Sequence, residues 1–107
     1  NHSDVGISDV AASFQAAVAD VLVAKAMRAV EATGAPTVAL GGGVAANSLL
    51  RARMVEAADQ AGVACFVPSR EMCTDNAAMV AAAGWWRLRA DGPTPLDAGA
   101  SPNLRLA

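Results

Sequence analysis

"LGGGVAANSLLR", Leu40 to Arg51, is the stretch that decides the fold. It sets three consecutive glycines between a short strand-like run, Thr37 to Leu40 after Pro36, and a helix expected from Asn47 to Ala61. Leu50, Met54, Ala57 and Ala61 recur on one face of that helix, and Gly62 closes it. Val63 to Val67 follows as a second short run, apolar on both faces, which suits a parallel strand covered on both sides. Strand, glycine turn, helix and strand make one βαβ unit, expected right-handed because crossovers between parallel strands almost always take that hand.

Working outward, Ser8 is the expected cap of a first helix, Asp9 suits its positive first turn, and Gly34 is its stop. Asp9, Ser13, Asp20 and Glu31 fall on one narrow stripe, and Phe14, Val18, Val21 and Leu22 cover the broad opposite side, so the helix is expected to be mostly buried. About 24 residues at ~1.5 Å each span ~36 Å, which calls for a body larger than 107 residues around it. Downstream, Pro68 ends the second strand, Ser69 to Cys73 is expected as a loop, and Thr74 is placed to cap a third helix from Asp75 to Arg89. Ala77, Ala78, Ala81, Ala82 and Gly84 invite close backbone packing there. Residues 1–92 read as the folded part. Residues 93–107, punctuated by Pro and Gly without periodicity, read as an extended or disordered tail. Two strands make a poor sheet alone, so the order α-β-α-β-α reads as part of a larger α/β body.

Composition narrows the function classes. Hydrophobic residues reach 54%, alanine prominent among them, so the interior is expected to rest on closely approaching helices. The longest uninterrupted apolar run, Ala77 to Trp86, is about half of the ~20 residues a membrane span requires, and no signal peptide opens the chain, so it reads as soluble and cytoplasmic with no membrane partner. Eight basic against ten acidic side chains give a net charge of -2, so no broad cationic field announces nucleic acid. Cys65 and Cys73 are too few for a disulfide scaffold; Cys65, inside an apolar run, reads as a buried thiol, and Cys73 stays open. His2 is the only histidine and reads as a terminal residue, so no histidine-based metal or catalytic constellation can be completed within this sequence.

Glycines between a parallel strand and a helix let backbone N–H groups approach an anion, and the helix N-terminus adds its positive end, so a phosphate or adenosine group is the natural guest. A tight turn under close helix packing is the plain alternative for Gly41, Gly42 and Gly43. Asn47 either caps the following helix or points its carboxamide into the same cleft. Gly41, Gly43 and Ala46 also satisfy the G-x-G-x-x-A dinucleotide pattern, although Glu71 comes too late to serve as its ribose-binding acid; a Rossmann-type segment of an oxidoreductase is therefore the second hypothesis. Asp75 and Asn76, in "CTDNAAM", are expected in the first turn of the third helix, beyond the carboxyl end of the second strand and facing the same crevice as the glycines. The Asp75 carboxylate there serves either the helix dipole or a metal as a hard oxygen ligand.

Three stretches, "DVAASFQAAVADVL", "LGGGVAANSLLR" and "CTDNAAMVAAAG", resemble in order and spacing the C-terminal part of the TsaD family, the tRNA threonylcarbamoyladenosine synthases long labelled O-sialoglycoprotein endopeptidases. The resemblance covers essentially the whole chain except its ends. It implies an actin-like, sugar-kinase-like ATPase fold in which "LGGGVAAN" is the adenosine motif. It also implies transfer of threonylcarbamoyl from its adenylate to N6 of adenosine 37 in tRNAs that read codons starting with A.

On this resemblance Gly42, Gly43 and Asn47 contact ATP or the threonylcarbamoyl adenylate, and Asp75 is a ligand of one divalent metal ion, iron or zinc. Two histidines of an H-x-x-x-H helix complete that metal site in the family, and none is present here, so the segment is expected to be inactive alone. TsaB-like and TsaE-like proteins and tRNA are the implied partners. The protease label finds no support in the residues, which assemble no hydrolytic constellation. Trp85 and Trp86, adjacent on a helix, cannot both face one core, so they read as packing against a further lobe or as a docking surface.

Overall fold

The computed structural model describes residues 6–103; His2 lies outside the described residues. The elements run α1 (Ile7–Thr33), β1 (Thr37–Ala39), α2 (Ser48–Gln60), β2 (Ala64–Phe66) and α3 (Ala77–Asp91), with single 3-10 turns at Gly43–Ala46 and Arg70–Cys73. The α/β class and the α-β-α-β-α order are therefore as expected. The segment Ser69 to Cys73 is more ordered than the loop foreseen. By internal contacts the chain divides into two compact units, one ending at Thr74 and one beginning at Asp75, ahead of α3 rather than at residue 92.

In the first unit β1 and β2 pair in parallel, with Thr37 opposite Ala64, Val38 opposite Cys65 and Ala39 opposite Phe66. Backbone bonds from Ala64 to Pro36 (3.0 Å) and from Leu40 to Phe66 (2.9 Å) extend the ladder at both ends. The connection between them is α2. Its buried positions are Leu50, Met54 and Ala58, spaced four apart, and they form its inner face. Ala61 caps its last turn, and Gly62 then reverses the chain at φ 68°, a left-handed conformation that glycine reaches without a Cβ clash.

The core centres on Ala19, Leu50 and Met54, with Val23, Ala26 and Met27 of α1 and Val38, Leu40 and Cys65 of the strands packed against it. Both helices therefore lie against the sheet face that carries Val38 and Cys65. The expectation that β2 is covered on both sides is corrected: Ala64 and Phe66 on the other face are exposed among the described residues. Cys65 is half-buried, and the fully buried thiol is Cys73.

The reading of α1 is also corrected. The helix begins one residue before Ser8, and Gly6 takes the cap position, its N–H donating to the Asp9 carboxylate at 3.2 Å. Gly34 ends it at φ 66° as foreseen. Only Ala19 is buried, whereas Phe14, at 70% exposure, and Val18, Val21 and Leu22 lie open. The small side chains of Ala19 and Ala26 are what let α2 approach, and the bulkier apolar row falls beside that contact rather than under it. Arg53 of α2 locks the pair from outside, donating to the Ala16 carbonyl at 3.2 Å and pairing with Asp20. By length and composition α1 is nonetheless apolar enough to cross a membrane. Asp20, Lys25 and Arg28 break its apolar runs without lowering its average hydropathy far, so no long uninterrupted apolar stretch marks it.

The second unit is built on α3, which starts two residues later than expected. Asn76 is its N-cap, accepting from the Met79 N–H at 2.9 Å, and no acidic residue lies in its first turn. Thr74 and Asp75 therefore precede the helix. No α3 residue is buried among the described residues. Trp85 and Trp86 meet edge to face with centroids 4.6 Å apart, and the Arg89 guanidinium lies 5.0 Å over the Trp85 ring.

Candidate functional site

The three glycines are not equivalent. Gly42 stands at φ 81° and ψ 174°, a region open essentially to glycine alone. Gly41 and Gly43 have no positive φ. A Cβ at any of the three meets no atom within 4 Å. The turn itself thus explains one glycine. At the other two positions neither the backbone angle nor a neighbour among the described residues calls for the absence of a side chain.

Beyond Gly43 the chain makes one 3-10 turn, Gly43–Ala46, and only then enters α2 behind Asn47. The Asn47 side-chain oxygen accepts from the N–H groups of Leu49 (2.9 Å) and Leu50 (3.1 Å). Those are two of the donors a helix start leaves without partners, so the α2 terminus does not offer them to an anion. The same oxygen accepts a third bond, 3.1 Å, from Nε2 of Gln15 on α1. Asn47 is therefore a cap, with its carbonyl side fully engaged. Its amide nitrogen, a donor only, has no partner among the described residues.

Two residues of this arrangement escaped the sequence reading. Gln15 lies inside the quoted α1 stretch as a polar interruption on a half-buried position, and that was its only signal. Arg51 closes the "LGGGVAANSLLR" stretch, and its guanidinium spans two loops: Nη1 donates to Ala45 at 2.9 Å and Nη2 to Pro68 at 2.5 Å. Nη1 also lies 3.7 Å from the Cys73 sulfur, whose thiol bonds the Ser69 carbonyl at 3.4 Å. Cys73, left open by the sequence, is thus an interior thiol under Arg51.

Beside the turn lies an open apolar cleft of about 340 Å³, bounded by Leu22 and Ala26 of α1, Leu40 and Gly41 after β1, and Ala45 and Met54. It sits at the carboxyl end of β1, where open α/β sheets place their ligands. Gly42, Gly43 and Asn47 belong to this one turn. Asp75 opens the second unit as an exposed carboxylate one residue ahead of the α3 cap, not within the first turn as expected. Among the described residues no three of His, Cys, Asp and Glu come together to hold a metal ion. The described residues do not by themselves form a metal centre, since the Asp75 carboxylate alone supplies fewer donors than the four or more a bound divalent ion takes.

A parallel βαβ unit with a glycine turn and an apolar cleft at the strand end defines an α/β segment. The family model described as TsaD, tRNA N6-adenosine threonylcarbamoyltransferase, matches residues 2–82. Relatives named tRNA N6-adenosine threonylcarbamoyltransferase include those of Desulfitobacterium hafniense, 50% identical, and Moorella thermoacetica, 48% identical, each over 96% of this chain. That of Sorangium cellulosum is 50% identical over 94% of it. The chain belongs to the TsaD family. It spans about 30% of the length of the curated relatives it matches. Family membership overturns the dinucleotide reading of Gly41, Gly43 and Ala46, and the geometry supplies the reason: the glycines open a separate 3-10 turn instead of opening the helix itself.

Proposed function

We propose that an intact TsaD-family protein carrying this segment transfers threonylcarbamoyl from its adenylate to N6 of adenosine 37 in tRNAs decoding ANN codons. The N6 amine attacks the carbamoyl carbon, AMP leaves with the bonding pair of the anhydride, and the amine loses a proton. The observation that carries the reading is the family match together with a glycine turn whose Gly41 and Gly43 face open space. Gly42 and Gly43 admit the adenylate to the backbone, and Asn47 donates its amide N–H to an acceptor on that ligand. The apolar cleft walled by Leu22, Leu40 and Met54 excludes water beside it. The parent fold in this proposal is the actin-like, sugar-kinase-like ATPase body, with the βαβ unit as its adenosine side.

Asp75 contributes one oxygen ligand to a divalent iron or zinc ion whose remaining ligands lie outside this sequence. When bound, that ion supplies Lewis-acid polarisation and a template for the transferred group. TsaB-like and TsaE-like proteins act with the intact enzyme in the cytoplasm, and the 107-residue chain is inactive alone. The test is reconstitution of the intact protein with its partners, threonylcarbamoyl adenylate and unmodified tRNA, followed by nucleoside mass analysis. Modified adenosine is expected with the parent and at least tenfold less with Asn47→Ala, the kinetic equivalent of one buried hydrogen bond. A folded parent complex that leaves the tRNA unmodified overturns the proposal.

A further inference from the structure

Asn47 faces a conflict that a lone cap residue does not. A carboxamide presents an acceptor on one side and donors on the other, and a cap must turn the acceptor to the helix N–H groups. Here Oδ1 receives Leu49 N–H, Leu50 N–H and the Gln15 side-chain amide together. Three donors on one oxygen leave it no capacity for a ligand, and each of them would meet an N–H group if the carboxamide flipped. The Gln15 bond differs from the other two. It comes from α1, 32 residues away in sequence, and both residues are half-buried.

We propose that Gln15 is a positioning residue for Asn47: by donating to Oδ1 it locks the carboxamide so that Asn47 presents only N–H donors, and the ligand atom it meets is an acceptor. This rests on Asn47 contacting the adenylate. The backbone donors hold the oxygen from within α2, and Gln15 adds a constraint from α1 that fixes the torsion of the amide plane. Gln15 also makes the site sensitive to the spacing of α1 and α2, which Arg53 holds through Ala16, the very next residue of α1. The placement of the ligand donor is thereby set by helix packing and not by the glycine turn alone.

A double-mutant cycle in the intact protein tests this, with ATP as the titrated probe. Gln15→Met, similar in length but without a donor, is expected to weaken ATP binding about tenfold, the worth of one oriented hydrogen bond. Asn47→Ala is expected to weaken it by at least as much, and adding Gln15→Met to Asn47→Ala is expected to change nothing further. Gln15→Leu, uncharged and also without a donor, reproduces the loss and serves if the Met variant does not fold. Additive losses in the double variant mean that Gln15 acts through packing and overturn the inference, as does parental ATP binding by Gln15→Leu. If Asn47→Ala itself binds ATP as the parent does, the fault lies with the ligand role of Asn47, and the inference falls with it.

Discussion

The guanidinium of Arg51 donates to the carbonyl oxygen of Pro68 at 2.5 Å across 17 residues of chain, while its other nitrogen holds Ala45 at 2.9 Å. One side chain of α2 therefore ties the loop after β1 to the loop after β2, the two loops that rim the carboxyl edge of this small sheet. A planar fork presents two separate nitrogens in fixed directions to the two carbonyls, whereas an ammonium has to reach both from one nitrogen on a flexible stem.

Replacing Arg51 by Met in the intact protein leaves two carbonyls without their charged donor and is expected to cost about 3 kcal/mol, the lower end for two such bonds because the site is only half-buried. Arg51→Lys is expected to recover part of that loss. Urea unfolding of both variants checks it, and full recovery of parental stability by Lys would show that the fork geometry contributes nothing.

Gly42 and Gly43 are expected to respond oppositely to alanine. Gly42→Ala forces a Cβ into a backbone region that excludes it and should destabilise by roughly 1 to 3 kcal/mol. Gly43→Ala, at a position with ordinary angles and open space, should leave stability within about 0.5 kcal/mol while weakening ATP binding. Thermal unfolding and ATP titration on the same two samples separate the effects. Unchanged ATP affinity in Gly43→Ala would return that glycine to the role of a simple turn residue.

The βαβ unit was legible because its signals are local: alternating apolar runs, a glycine stop at Gly62 and a polar residue, Asn47, where α2 needs a cap. What escaped was set by partners distant in sequence. Nothing near Gln15 or Arg51 says that they reach Asn47 or Pro68, because those bonds exist only once two helices and two loops have met. The buried face of α1 was misjudged for a related reason. Hydrophobic periodicity ranks Phe14 and Val21 above Ala19, but the contact with α2 selects the smallest side chain, since closeness of approach and not bulk decides there.

The 107-residue chain by itself is expected to self-associate. Ile7, Val10, Phe14, Val18, Val21 and Leu22 leave apolar surface open along a helix of 27 residues, about 40 Å long, and a two-stranded sheet exposes one face. Sedimentation across a hundredfold range of concentration checks this, and a concentration-independent monomer with a cooperative thermal transition would contradict it.

Asn47→Asp separates cap from contact. A carboxylate accepts from Leu49 and Leu50 as well as the amide does and suits the helix dipole, so stability should hold within about 0.5 kcal/mol of the parent. The donor is gone, however, and a negative charge replaces it beside an anionic ligand, so ATP affinity should fall more than in Asn47→Ala. An Asp variant that binds ATP like the parent would show that Asn47 is a cap and nothing else.

At Asp75 the structure sharpens the choice between helix dipole and metal. Because Asn76 and not Asp75 caps α3, the carboxylate stands one residue ahead of the cap and exposed, where solvent keeps its interaction with the helix dipole small. Removing its charge for dipole reasons alone should therefore cost at most a few tenths of a kcal/mol, and Asp75→Asn in the intact protein should unfold like the parent. A metal ligand behaves differently: an amide oxygen carries no formal charge and binds a divalent ion far more weakly, so the same substitution should strip the metal and abolish threonylcarbamoyl transfer while the fold survives. With no metal present, the variant should be no less stable than the metal-free parent, since an exposed carboxylate loses little on neutralisation. Metal analysis of the purified variant decides the matter. Stoichiometric metal held at parental affinity, with transfer intact, would remove Asp75 from the coordination sphere. The 107-residue chain, with no cluster of three ligating side chains among its described residues, should retain no divalent ion through dialysis whichever way the intact protein behaves.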